Sequence, residues 1–341
     1  MDIDKVLKTL TSKTGVSGAE NGIAEQAVDM LKNYCSEAKI DKMGNVIGII
    51  RGRGDKKKKI MLEAHMDQVG FIVTKIDDDG NLSFAAVGGI DARILPCLRV
   101  KILGDEVLSG VILSPADADV KEKNADIKSL KIYTGYSKEE LSGLVSPGDL
   151  IVFDNEYMRL AGGRRCSASM DNRSGMTAVF AALEYLCQNP SDADIYVVFS
   201  TQEEVGLRGA YTSTYGIEPD MAIVVDVTHG TTVDSKDDMG VFDLGCGAAV
   251  LRGPNADYRM AKQLIKLAEK NNIDFEIETA GGASGTTAWA IQTIQAGVPV
   301  LLISIPLRYM HTNVEVLELS DIEKAGRLMG VGAEYFGKEA E

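Results

Sequence analysis

The chain is short of basic charge: 36 Lys+Arg stand against 50 Asp+Glu in 341 residues, a formal net charge of -14. Such a surface repels phosphate backbones and anionic headgroups, so neither nucleic acid nor a membrane is an expected partner. Prolines number only eight, too few for a collagen-like or linker-rich chain. Long apolar runs are missing as well. The longest, Val298 to Leu307, is broken by Pro299, Ser304 and Pro306 and is far below a bilayer span. The start, Met1-Asp2-Ile3-Asp4-Lys5, is acidic and amphipathic, which reads against a signal peptide. Cys35, Cys97, Cys166, Cys187 and Cys246 are odd in number and lack C-x-x-C spacing, as expected of reduced thiols in a cytoplasmic protein. There is no internal repeat.

What remains is an ordinary globular composition, 45% hydrophobic and 25% charged, long enough for one large or two linked domains. Helical periodicity marks 3–13 and 22–36. Val46 to Ile50 and Ile60 to Ala64 read as strands, with the Lys56 to Lys59 run as a solvated hairpin tip between them. From about 70 to 160 short alternating strands and turns such as Asp79-Gly80 and Gly88-Gly89 predict a small all-β unit. Helix and strand then alternate: helices at 172–187, 256–271, 285–296 and 320–335, strands at 194–201, 221–227, 273–278 and 299–305. The simplest organisation is an α/β domain built from both ends of the chain, with the β unit inserted at about 68–162.

Histidines are scarce, at 65, 229 and 311, yet each sits at or just beyond a predicted strand end. In open α/β sheets that is where ligands bind. His65 and Asp67 follow one strand, Glu203 and Glu204 another, Asp226 and His229 a third, and His311 a fourth. In extended chain Asp67 shares a side with His65 and can accept the spare ring N–H of a metal-bound imidazole; a His satisfied by that Asp alone is the plainer reading. Glu203 and Glu204, adjacent and therefore pointing to opposite sides, can divide two tasks, one holding a metal and the other taking a proton from metal-bound water. Asp171, just before a helical run, is either a ligand or an N-cap. Histidines and carboxylates from four strand ends suit zinc, cobalt or manganese, and the number of acids suggests two ions.

Taken together, His65-Met66-Asp67-Gln68-Val69-Gly70-Phe71, Met170-Asp171-Asn172-Arg173-Ser174-Gly175, Gln202-Glu203-Glu204-Val205-Gly206, Asp226-Val227-Thr228 and Arg308-Tyr309-Met310-His311 resemble the signatures of metallopeptidase family forty-two. This family includes tetrahedral (TET), glutamyl and deblocking aminopeptidases, and some members carry an endoglucanase label. The resemblance begins at Gly15-Val16-Ser17-Gly18 and runs to the last helix. It implies a three-layer α/β/α zinc-peptidase domain at 1–67 and 163–341, with an inserted β-barrel-like dimerisation domain at 68–162. It further implies two divalent ions per subunit. Asp171 would bridge them, Glu204 and His311 would complete one site, and His65 and Asp226 the other. Glu203 would be the general base and Asp67 the acid orienting His65. Peptides would be the substrates, and dimers, often assembled into dodecamers, the working form.

The chain departs from the family pattern at Gln68 and Thr287, where acids are frequent, and Thr287 bears on substrate side-chain preference. The expected activity is aminopeptidase hydrolysis; the alternative is a related dinuclear-metal deacylase or amidohydrolase acting on small N-acyl substrates. A carboxylate-pair glycosidase fits the acids less well, since that chemistry needs no metal pair.

Overall fold

The computed structural model describes residues 1–54, 58–114, 126–154, 156–236 and 240–338. The N-terminal segment forms α1 (Ile3–Thr11), α2 (Asn21–Leu31), β1 (Glu37–Ile40), β2 (Val46–Ile50) and β3 (Lys59–His65). Next come β4 (Gly70–Ile76), β5 (Leu82–Val87), β6 (Arg99–Leu103), β7 (Val107–Ile112), β8 (Ile132–Tyr133), the one-turn helix α3 (Lys138–Leu141) and β9 (Leu150–Phe153). The remainder runs β10 (Met158–Arg159), β11 (Arg164–Ser167), α4 (Met170–Gln188), β12 (Asp194–Ser200), α5 (Arg208–Ile217), β13 (Met221–His229), β14 (Ala248–Arg252), α6 (Tyr258–Lys270), β15 (Phe275–Thr279), α7 (Thr287–Gln292), β16 (Val300–Leu307), β17 (Glu315–Glu318) and α8 (Leu319–Gly337).

The central sheet has eight strands in the order β1-β2-β12-β3-β13-β16-β14-β15. Its middle strands β12, β3, β13 and β16 are parallel and almost wholly buried. Their near-continuous apolar runs are what a sheet covered on both faces requires. Helices α4 and α8 pack together over β13, β3 and β16, while α5 and α7 pair with each other against β12 and β16, giving three layers, α/β/α. One contiguous apolar core spans this assembly.

β4, β5, β8, β7, β6 and β9 close into a barrel with its own core. Phe71 stands at its centre, with Phe84 and Phe153 each edge-on at 5.3 Å between ring centroids. A barrel closes its own hydrogen bonding, so the unit needs no edge strand against the central sheet.

Several expectations need correction. β2 and β3 are not hairpin partners, because β12 lies between them; Lys56 and Lys57, at the supposed tip, lie outside the described residues. The helix expected to reach residue 36 stops at Leu31, since 37–40 pairs antiparallel with β2. The helix expected at 285–296 covers only Thr287–Gln292. β14, β17 and α5 were not anticipated; β17 is only four residues long and joins β10 and β11 in a separate small sheet. All five cysteines are free thiols. No helix among the described residues is long and apolar enough to cross a membrane.

Candidate metal centre

The parallel strands deliver the polar residues to their carboxyl ends. His65 closes β3, Asp226 lies near the end of β13, Glu203 and Glu204 follow β12, and His311 follows β16. His65 and Asp226 are buried, and so is the turn at Asp171 that starts α4.

Two triads form around one carboxylate. His65, Asp171 and Asp226 offer one ligand atom each within 4.8 Å of one another, as do Asp171, Glu204 and His311. His65 Nε2 lies 3.0 Å from Asp171 Oδ1 and 3.6 Å from Asp226 Oδ1. His311 Nε2 lies 3.3 Å from both Asp171 Oδ2 and Glu204 Oε2. The two oxygens of Asp171 thus face different triads. His229, by contrast, is exposed at the rim of the same cavity and belongs to neither triad among the described residues.

The surroundings fix these side chains. His311 Nδ1 donates to the carbonyl of Gly89, 2.6 Å away in the loop after β5, which turns the Nε2 lone pair toward two carboxylate oxygens. Asp67 Oδ1 sits 3.5 Å from His65 Nδ1, and its carboxylate accepts from Ser17 Oγ at 2.6 Å and from the backbone N–H of Glu203 and Glu204. Gln68 contributes through its backbone, bridging the Val16 segment that presents Ser17.

Glu315 escaped the sequence reading. It is buried; Oε2 accepts from the N–H of Met170 and Asp171 at 2.7 and 3.3 Å, and Oε1 from the N–H of His311 at 2.8 Å. One carboxylate therefore clamps the backbone of two cluster residues. Its place four residues after His311 is the only sequence signal that could have marked it.

Asp171 does not cap α4. Its backbone is extended there, φ -77° and ψ 106°, and its side chain faces the histidines. Asn172 is the capping group instead: its Oδ1 accepts from Gly175 N–H at 2.9 Å and its Nδ2 donates to Val225 O. Glu203 and Glu204 are not on an extended chain either. β12 ends at Ser200, Gln202 takes a left-handed φ of 55°, and a turn closes with the N–H of Gly206 donating to Glu203 O. Both carboxylates consequently line one cavity. Thr287 does not reach that cavity; buried, it donates its hydroxyl to Glu63, whose other oxygen accepts from Ser200.

Burial drives the Glu203 and Glu204 carboxyls up to about 9 and about 8, with neighbouring acids adding to the effect. Burial alone would lower the histidines, but Asp171 and the other carboxylates outweigh it, raising His65 well above its ordinary value and His311 to about 10. So much negative charge in an apolar enclosure calls for cations. Glu204 Oε1 and His65 Nδ1 are buried without a hydrogen-bond partner. Imidazole nitrogens facing carboxylate oxygens form a mixed N/O donor set that fits divalent zinc, cobalt or manganese.

The cavity is about 260 Å³, and beyond the clustered ligands it is lined by Thr228, Glu278 and the turn at Ser284 to Thr286. Residues 44–328 match the family described as M42 glutamyl aminopeptidase. A putative aminopeptidase of Acetivibrio thermocellus is 37% identical over 96% of this chain and 97% of its own length. Aminopeptidase APDkam598 from the archaeon Desulfurococcus kamchatkensis superposes with a TM-score of 0.91 at 34% identity, covering 98% of this chain and 94% of that one. The TET1 peptidase of Pyrococcus horikoshii, which can assemble into a tetrahedron or a large octahedral shell, gives 0.83 at 31% identity over 97% and 99%. The chain belongs to the M42 glutamyl aminopeptidase family and is a hydrolase of aminopeptidase type.

Proposed function

We propose that the chain removes N-terminal residues from peptides at a centre of two divalent ions sharing Asp171. The observation that carries this reading is the pair of triads meeting at the two oxygens of that carboxylate. Asp171, Glu204 and His311 would hold one ion, and Asp171, His65 and Asp226 the other. When bound, such a pair supplies Lewis acidity to the scissile carbonyl and to a water beside it.

The chain's own groups do the rest. Glu203, in the same cavity but outside both triads, accepts the proton of the attacking water and returns it to the departing amine nitrogen. With the two cation sites filled, the upward push of burial and neighbouring acids on the Glu203 carboxyl would be reversed and Glu203 would be ionised for that task. Asp67 orients His65, and Glu315 holds the backbone at Asp171 and His311.

The same reading divides the chain into a peptidase unit at 1–67 and 163–341 and an inserted barrel unit at 68–162 that pairs subunits. Val107, Val111, Leu113 and Tyr133 are exposed on and beside β7 and β8, apolar surface of the kind that association covers. The related TET1 shells make closed assembly, a dodecamer included, the expected end state. A reducing cytoplasm suits the five free thiols.

The test is metal analysis beside turnover of the reconstituted protein on aminoacyl anilides. Two ions per chain and loss of turnover on chelation are expected; activity that survives complete metal removal sinks the proposal.

A further inference from the structure

Glu278 is the carboxylate among the cavity's lining residues that the metal centre leaves unused. It stands on β15 opposite Leu251 of β14 and reaches back toward the centre of the sheet. Its Oε1 accepts from Thr228 Oγ1 at 2.6 Å and its Oε2 from Ser304 Oγ at 2.7 Å. These two hydroxyls fix the carboxylate in place without neutralising it. Among the described residues no Lys or Arg pairs with it, and none lines the cavity.

We propose that this pocket receives a basic side chain, Lys or Arg, of the substrate's first residue, with Glu278 as the specificity-determining partner. The proposal rests on the aminopeptidase reading and adds the substrate class. Charge points the same way as geometry. Asp67, Asp171, Glu203, Glu204 and Asp226 bring five acids to the centre, and two divalent ions balance only four of those charges. Glu278 adds a further negative charge at the far wall, so the cavity holds a net negative field even when loaded. A cationic side chain gains a charge-assisted hydrogen bond to a pre-positioned carboxylate. An aliphatic one leaves that carboxylate unpaired, and an acidic one meets repulsion with no Lys or Arg among the lining residues to answer it. A preference for acidic first residues, which the family description would suggest, therefore does not suit this pocket.

Lysyl and norleucyl anilides separate the side-chain ammonium from the α-amine, because norleucine keeps the chain and the α-amine but lacks the terminal nitrogen. With the metal-reconstituted full chain, kcat/KM for lysyl anilide should exceed that for norleucyl anilide by at least about ten-fold, equivalent to about 1.4 kcal/mol, with glutamyl anilide the poorest. Glu278→Gln should collapse the ratio to within about threefold, chiefly through KM, and Glu278→Lys should place glutamyl above lysyl anilide. Lysinamide should likewise compete better than norleucinamide against any cleaved substrate, a comparison needing no variant. If anilides are cleaved without a lysyl preference, if the ratio survives Glu278→Gln, or if that change lowers all three substrates equally, the assignment of Glu278 is overturned while the peptidase reading stands. If no aminoacyl anilide is cleaved, both fall.

Discussion

His311 Nδ1 and the carbonyl oxygen of Gly89 lie 2.6 Å apart, so a loop of the barrel decides which nitrogen of the His311 imidazole faces the carboxylates. The neighbouring Gly88 holds that loop in place. It has φ +88°, and a Cβ there would stand 2.7 Å from Val69 Cγ1 and 3.4 Å from Glu204 Cβ. At Gly89 a Cβ would meet nothing closer than His311 Nδ1 at 3.5 Å. Gly88→Ala should therefore lower metal occupancy and turnover, while Gly89→Ala leaves both near wild type. Elemental analysis beside kcat checks this, and the opposite ranking counts against the loop's role.

Glu203→Gln preserves shape and removes the proton acceptor. Metal content should stay at the wild-type level while kcat falls at least about a hundredfold, the scale of losing a general base. Normal turnover with full occupancy would take Glu203 out of the mechanism.

Asp171 and Asn172 separate binding from capping. Asp171→Asn should lose both ions, and the metal-free protein should melt only modestly below metal-free wild type, because the amide oxygen still accepts from a histidine although the carboxylate's attraction to His65 and His311 is gone. Asn172→Ala should instead cost about 1–2 kcal/mol through the lost cap. Thermal melts of the metal-free proteins decide; a large destabilisation by Asp171→Asn would mean its side chain is structural.

The pH dependence of stability should show the ties between α1 and the β10–β11 hairpin. Asp4 accepts from Arg165 and Tyr157 and pairs with Arg159; the Arg165 hydrogen bonds, foremost, hold its carboxyl at about 2 against an ordinary 3.8. Because the folded value is depressed, the contribution is complete above the ordinary value and is lost as pH falls from about 4 toward 2. Urea midpoints of wild type should drop more steeply over that interval than those of Asp4→Asn, and the two curves should converge near its lower end. Parallel curves would show that Asp4 contributes no such linkage.

Much of the centre was legible because its residues punctuate apolar strands. His65 after Ile60–Ala64 and Asp226 after Met221–Val225 stand where buried strands leave the core. Glu278 gave no such signal: Phe275–Thr279 reads as a half-exposed edge strand, and only the neighbouring Thr228 and Ser304 hydroxyls show where its carboxylate goes. Gly89 was equally silent, since a backbone carbonyl has no letter in a sequence. The side to which Glu203 points depended on one left-handed residue, Gln202, which strand periodicity cannot supply. β17, four residues long, was too short to stand out, and its partner β11 comes from a distant segment.

The barrel's position between His65 and the other cluster residues also sets a timetable for synthesis. His311 follows Phe153, the end of the barrel's last strand, by 158 residues, which a ribosome adding roughly 5–20 residues per second takes on the order of 8–32 s to make. The barrel, with its own core and locally connected strands, has that interval in which to fold. The imidazole it orients and the Glu315 clamp are made after every strand of the barrel, so synthesis order lets the aligning loop form before the residue it aligns exists.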